Sequence, residues 1–382
     1  WQFDPDDYQV IIGHYKHAHV THVTMGRVAI FDEAPVNQFT ERLEGTRLVT
    51  AINTFLSQTV SPPVDDFDDL IRNRNDSETV KACSRWFSQM EQQDEIDLSS
   101  PDNSGVIRNV DETGAEYHAY APHAVYAILN ASPIADGSNF ERCFMPGTMG
   151  GGLVFTTSEE HGNYYTEFRQ SPSLDYAESV LALDGTPLVD ESRNDPHKVR
   201  EWEQALGVPM KHRRVMDDSA RRDYIKHTLN HQYVSASDHV NPYSSGKYND
   251  MAEDAALCAA VKETYGDGEH APLSFTPKAV SDTYDDAGFV EQGLVSGLDY
   301  PGNLRGSDRY ADERLLVILG STHYGDHEIR RRAAWLRESV SVSGKGKDRD
   351  YGSDIGNAIL EQMRENVTAQ LAMRVGRDGG GA

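Results

Sequence analysis

Two acids, Asp32 and Glu33, follow directly on the apolar run Arg27–Phe31 (RVAIF). A buried strand presents an Asp rigidly at its carboxyl end, where a phosphate-bound Mg²⁺ sits, and a neighbouring Glu can orient an attacking water. An acidic turn after any buried strand has the same composition. Near the other end of the chain, Gln370, Arg374, Gly376 and Arg377 close an expected helix. Two arginines three apart on a glycine-bearing turn can reach one anionic group and stabilise charge in phosphoryl transfer. A plain helix C-cap, with Arg at the negative end of the dipole and Gly beyond it, uses the same residues. A third set is His14, His17, His19 and His22. On a strand, His17 and His19 could converge on one metal ion, as in metal-dependent hydrolases. On a helix, His14 with His17 and His19 with His22 form a polar surface.

The elements that must position these groups are parallel α/β in type. Tyr8–Gly13 (YQVIIG) reads as a buried strand ended by Gly, His14–His22 as a helix, and Arg27–Phe31 as a second buried strand. Buried runs joined by a crossover are the signature of a parallel sheet. Residues 36–150 read as a helical insertion, with helices at Val36–Ser57, Asp76–Gln93 and Ala121–Asn130. Strands then resume at Leu153–Thr157 and Ser179–Leu183, the second capped by Asp184-Gly185-Thr186-Pro187. A helix at Asp195–Leu206 leads into a basic connector carrying Lys211, Arg213, Arg214, Arg221, Arg222 and Lys226. A second α/β unit follows, with a helix at Ala252–Thr264, strands at Pro272–Thr276, Phe289–Val295 and Arg314–Gly320, and helices at Gly325–Glu338 and Ile355–Met373.

Composition narrows the classes further. The chain has 382 residues, 36 Lys plus Arg against 61 Asp plus Glu, and a formal net charge of -25. Its length suits about two or three domains. No apolar run approaches the roughly 18 residues of a transmembrane helix. Three cysteines, Cys83, Cys143 and Cys258, are too few for a disulfide framework or a four-cysteine metal or iron–sulfur site, and their scarcity points to a reducing cytoplasm. The basic residues divide into 10 Lys and 26 Arg. Excess carboxylate with little lysine is the composition of a protein adapted to molar salt. Net acidity usually argues against nucleic acid. In a salt-adapted chain it reports the solvent, and only local basic clusters report the ligand: the 211–226 connector, Arg330–Arg332, and the Arg374 and Arg377 pair.

Taken in order, these segments resemble the superfamily-2 helicases. Asp32-Glu33-Ala34-Pro35 is similar to the family's DEA(H/D) box, motif II. Asp184-Gly185-Thr186 stands where the family has Ser-Ala-Thr or Ser-Gly-Thr, motif III. Gln370 to Arg377 resembles QxxGRxGR, motif VI, with Met373 in place of its first Gly. Ile11-Ile12-Gly13-His14-Tyr15 resembles the V-I-x-N-Y/H segment ahead of the box in XPD/DinG-like members. Gly302 to Ser307, followed by Glu313 to Gly320, resembles their motif V. Helicase-like proteins of salt-loving archaea look similar as a whole.

The resemblance implies tandem RecA-like P-loop NTPase lobes, the first incomplete, with an α-helical insertion. Residues 1–35 would be the C-terminal part of lobe 1 (motif II), 36–150 the insertion, 151–190 the return of lobe 1 (motif III), 191–228 the basic connector, and 229–382 lobe 2 (motifs IV–VI). It implies a cytoplasmic, ATP-dependent motor that couples Mg-ATP hydrolysis to movement along nucleic acid, DNA ahead of RNA with the choice left open. Asp32 would hold Mg²⁺, Glu33 would position water, and Arg374, Arg377 and Gln370 would complete the catalytic set. Asp184 and Thr186 would couple nucleotide state to the nucleic-acid face, and Thr276, Lys278, Gly306 and Ser307 would lie on that face.

One departure is plain. No G-x-x-x-x-G-K-[ST] occurs in the sequence, and Ser343-Gly-Lys-Gly-Lys347 and Ser245-Gly246-Lys247 lack its spacing. The chain opens Trp1-Gln2-Phe3 and ends Gly379-Gly380-Gly381-Ala382. It is therefore expected to be an internal fragment, inactive alone, whose phosphate cradle lies roughly 50 or more residues upstream of Trp1. Two other readings compete: a metal-dependent hydrolase built on His14–His22, and a non-catalytic nucleic-acid-binding module.

Overall fold

The computed structural model describes residues 8–376 apart from 34–36, 94, 100–107, 110–115, 147–148, 156–163, 186, 189–198, 229–230, 238–242, 244–245, 247–248 and 305–307. The chain forms two units by its internal contacts. One comprises Trp1–Asp184, Val199–Met210 and Ala334–Ser339; the other comprises Gly185–Lys198, Lys211–Ala333 and Val340–Ala382.

In the first unit the elements in chain order are β1 (Val28–Asp32), β2 (Thr40–Glu44), α1 (Gly45–Gln58), α2 (Phe67–Asn73), α3 (Ser77–Gln92), α4 (Ala121–Asn130), β3 (Ser132–Pro133), β4 (Phe140–Cys143), β5 (Met149–Phe155), β6 (Tyr165–Gln170), β7 (Ser179–Leu183) and α5 (Arg200–Leu206). β1 and β7 pair in parallel, with Val28 opposite Ser179 and Asp32 opposite Leu183. Five further strands form an antiparallel sheet in the order β2-β6-β5-β4-β3, and Arg108–Asn109 pairs with Glu116–Tyr117 in a separate two-stranded sheet. Its helical cover follows from periodicity. Leu48, Ile52 and Phe55 share one face of α1 and meet Trp86, Phe87 and Met90 of α3 and Val125 and Ile128 of α4. Asp66 and Asp76 start α2 and α3 by accepting from the backbone N–H groups of Asp69 and Thr79, at 2.8 and 2.9 Å.

Beside this sheet, Phe140, Leu153, Phe155 and Tyr165 pack with Ala334 and Trp335. The Trp335 indole N–H donates to the Glu167 carboxylate, and the Arg169 guanidinium lies 4.5 Å from the ring centroid. A desolvated cation over an indole is a favourable pairing.

The second unit contains α6 (Met251–Tyr265), β8 (Leu273–Phe275), α7 (Lys278–Asp286), β9 (Gly297–Asp299), β10 (Leu316–Ile318), α8 (Asp326–Trp335, its last two residues counted with the first unit), α9 (Asp354–Glu361) and α10 (Val367–Ala372). β8 is the central strand, parallel to β9 on one side and β10 on the other. Both units thus carry parallel strands joined through helices, and the chain is mixed α/β.

Several sequence expectations are corrected. Tyr8–Gly13 is not a strand: Val10 and Ile12 are 76% and 95% exposed, and no described strand accepts the segment's ladder. His14–His22 is not one helix but a 3₁₀ turn, Tyr15–His19, followed by a single turn, Thr21–Thr24. The helix expected from Val36 starts at Gly45, because Thr40–Glu44 pairs with β6 instead. The segment from Leu153 does not rejoin the parallel sheet. As part of β5 it lies antiparallel between β4 and β6, partners that are near in sequence and need no crossover. Residues 36–150, expected to be a helical insertion, hold the strands β2, β3 and β4 as well as helices. Phe289–Val295 is not extended, since Gly288 and Gly293 take φ of +79° and +63° and turn the chain, and the strand falls at β9. The single helix expected over Ile355–Met373 is interrupted by a π turn at Gln362–Asn366.

Candidate functional site

The first group of chemistry-bearing residues sits at one end of the β1–β7 pair. Asp32 ends β1 with its side chain exposed, while Phe31 before it is buried. The register sets Asp32 opposite Leu183, so Asp184 emerges one residue further along at the same end. The Glu33 backbone N–H donates to the Leu183 carbonyl at 2.8 Å. Glu33 itself has a φ of +63°, the left-handed region that a Glu rarely enters. The Tyr15 hydroxyl donates to the Asp32 carbonyl, with the Glu33 carbonyl as a second acceptor at 3.4 Å. The Asp184 carboxylate accepts from the Trp202 indole N–H of α5 at 3.0 Å. Thr186, Ala34 and Pro35 lie outside the described residues.

The second group lies in the other unit. Leu371 and Val375 pack with Leu273, Phe275 and Leu304, so the C-terminal segment is held on the parallel sheet by its apolar residues. Beyond α10 the chain turns through Gly376, φ +64°, whose N–H donates to the Glu313 carbonyl at 3.0 Å. The His231 imidazole meets the Val375 carbonyl at 3.0 Å. Gln370 and Arg374 are both half-buried, and Arg377 lies outside the described residues.

Thr276 and Lys278 fall where the sequence predicts, between β8 and α7. Thr276 is buried and its hydroxyl has no hydrogen-bond partner among the described residues. Lys278 is exposed, with Nζ 5.6 Å from the Tyr300 ring centroid. Gly306 and Ser307 lie outside the described residues. Of the basic connector, Lys211, Arg213, Arg214, Arg221, Arg222 and Lys226 are all exposed. Two of the Arg330–Arg332 cluster are not available as a surface patch. Arg331 is buried and pairs with Glu328 at 2.6 Å, and Arg332 is buried on Gln362.

The histidines do not converge. His14 Nδ1 accepts from the Lys16 N–H at 3.2 Å, and the His19 ring stands edge-on to Phe39 at 5.2 Å. Burial, with Lys16 adding to it, holds the His19 pKa below its ordinary value. Among the described residues no three of His, Cys, Asp and Glu are placed to hold a metal ion. The metal-hydrolase reading therefore lacks its site there. All three cysteines are buried, and burial pushes their thiols up, to about 11 for Cys83 and Cys258 and about 12 for Cys143. Such thiols are inert as nucleophiles.

Two residues escape the sequence reading. Tyr15 is visible only as part of the IIGHY segment, and nothing in its neighbours says that its phenol reaches the acids 17 residues on. Asp299 ends β9 with its carboxylate accepting from Arg309, from the Tyr310 hydroxyl at 2.9 Å and from Asn303 at 3.0 Å. An acid at a strand end before Tyr-Pro-Gly was the available signal. Comparison with family models, with curated proteins and with solved structures returns no match. No helix among the described residues is long and apolar enough to cross a membrane.

Proposed function

We propose that this chain is part of an ATP-dependent nucleic-acid helicase or translocase, built from RecA-like lobes and working in the cytoplasm, with DNA ahead of RNA as the strand it moves on. One observation carries the reading. Two strands far apart in sequence lie parallel, in a register that brings the Asp32-Glu33 box and the Asp184-Gly185 box out at the same end. That end of a parallel sheet is where phosphates and their metal bind in α/β nucleotide-binding proteins.

The residues present fit Mg-ATP. Mg²⁺ is held through one or two carboxylates plus substrate phosphates rather than by an all-protein cage, and the exposed Asp32 carboxylate at a strand end suits that role. The ion supplies neutralisation of charge on the phosphates. Glu33 would orient the attacking water; Arg374 and Arg377, with Gln370, belong to the other unit and are assigned the charge on the transferred group from the resemblance alone. Asp184 and Thr186 are assigned to coupling and the exposed Lys278, with Gly306 and Ser307, to the nucleic-acid backbone; Thr276 is buried and would support that segment from within rather than touch the ligand. No G-x-x-x-x-G-K-[ST] phosphate cradle occurs in this sequence, and the hydrolysis proposed requires one.

The test is DNA-stimulated ATP hydrolysis in molar salt by the full-length gene product. Activity abolished by Glu33→Gln supports the reading. Hydrolysis unchanged in that variant removes Glu33 from the mechanism, and no hydrolysis in the parent chain overturns the motor altogether.

A further inference from the structure

We propose that Tyr15 is the positioning residue of the Asp32–Glu33 box, locking the peptide between the two acids so that Glu33 is held in a left-handed conformation. The inference deepens the ATPase reading and rests on it for its kinetic consequence, though not for its structural one.

The peptide unit joining Asp32 to Glu33 has two polar ends, and both are fixed. Its N–H, from Glu33, donates to the Leu183 carbonyl at 2.8 Å. Its C=O, from Asp32, accepts from the Tyr15 hydroxyl. With the plane of that peptide set from opposite sides, rotation about the Asp32 ψ and the Glu33 φ is restrained together. The Glu33 φ of +63° costs a non-glycine residue free energy and persists only where its surroundings over-determine it. The Glu33 carbonyl, 3.4 Å from the same phenol, extends the restraint one residue further.

Tyr15 is itself well placed to act as an anchor. It opens the short 3₁₀ turn Tyr15–His19, which His14 caps and Ala18 plugs into the core. Its ring lies parallel to Phe31 at a centroid distance of 6.3 Å and meets Phe39 edge-on at the same distance. Phe39 is buried and also faces Phe31 and His19. The aromatic packing sets the ring, the ring sets the hydroxyl, and the hydroxyl sets the backbone from which both carboxylates project. Removing the hydroxyl alone should therefore leave the fold and relax the box.

The experiment is a thermal double-mutant cycle with Tyr15→Phe and Glu33→Gly, run on this chain in molar salt, beside steady-state ATPase kinetics on the full-length gene product. Glycine adopts the left-handed conformation freely. If Tyr15 enforces that conformation, Glu33→Gly raises Tm by about 2–4 °C, the shift of roughly 1 kcal/mol in a unit of this size. The same substitution raises Tm by nothing in the Tyr15→Phe background, where the backbone has already relaxed. Equal gains in both backgrounds, or no gain in either, overturn the proposal. In the kinetic arm, Tyr15→Phe lowers kcat for ATP by about 10²-fold with KM unchanged, the loss expected from a small misplacement of a reacting group. An unchanged kcat overturns the kinetic consequence. A parent chain without ATPase activity overturns the motor reading instead, and the thermal cycle then still decides the clamp.

Discussion

Trp202 and Asp184 are tied together by a 3.0 Å hydrogen bond from the indole N–H to Oδ2. Trp202 is 2% exposed, so its N–H depends on partners within the protein. The acid of the second box thus has a structural duty. Asp184→Asn keeps an oxygen acceptor and is expected to leave stability and ATPase coupling near the parent values. Asp184→Ala strands the buried donor and should cost about 1–3 kcal/mol. Chemical denaturation in molar salt measures both. If the Asn variant loses as much stability as the Ala variant, the carboxylate's charge matters rather than its acceptor.

How far this was legible beforehand depends on what kind of signal each element carries. Ala121–Asn130 and Ser179–Leu183 are observed with the boundaries expected, because a tight apolar run with clear edges fixes both type and extent. Strand direction is a different matter. LVF in β5 is as apolar as SVLAL in β7, yet one lies antiparallel and the other parallel, since direction is set by tertiary partners and not by local pattern. Glycine in the left-handed region defeated the strand expected at Phe289–Val295, and a π turn divided a helix whose periodicity looks continuous. At the candidate site, Asp32, Glu33 and Asp184 stood out because acids after apolar runs are visible in sequence. Tyr15 and Trp202 did not, because their contacts with those residues are long-range and involve a backbone carbonyl or an indole.

Arg74 and Glu141 form a two-point pair, Nη1 to Oε2 at 2.9 Å and Nη2 to Oε1 at 2.6 Å, with side chains only 16% and 10% exposed. In molar salt most surface attraction is screened, but a pair shielded from solvent is not. Arg74→Ala leaves an uncompensated carboxylate and should cost about 3–5 kcal/mol. That cost should hold constant across the range of salt in which the chain is folded. Lys81 and Glu78, 66% and 76% exposed, form the contrasting surface pair, and Lys81→Ala should leave the denaturation midpoint where it is. A cost at Arg74 that fades as salt rises would show that the pair is solvated after all. The double replacement of Arg74 and Glu141 by apolar residues of similar volume should recover most of the lost stability.

His323 gives unit two a predictable response to acid. Its Nε2 meets the Tyr351 hydroxyl at 3.1 Å, and that hydroxyl donates to Asp326 at 2.7 Å. Burial lowers the His323 pKa from its usual 6.5; Asp326 opposes the shift, while Arg349 and Arg364 add to it. The folded chain therefore keeps this imidazole neutral at a pH where the unfolded chain has already protonated it. Below about 6.5 the unfolded state binds more protons, so stability rises with pH through this window and is lost as pH falls towards the folded pKa. The steepest slope that one proton allows is about 1.4 kcal/mol per pH unit. His323→Gln, which cannot titrate, should flatten the dependence of Tm on pH just below 6.5, whatever its effect at neutral pH. The His323 ring resonances should titrate with a midpoint below that of a free histidine. A midpoint above 6.5 would mean that Asp326 outweighs burial, and the slope would then change sign, with stability lost as pH rises.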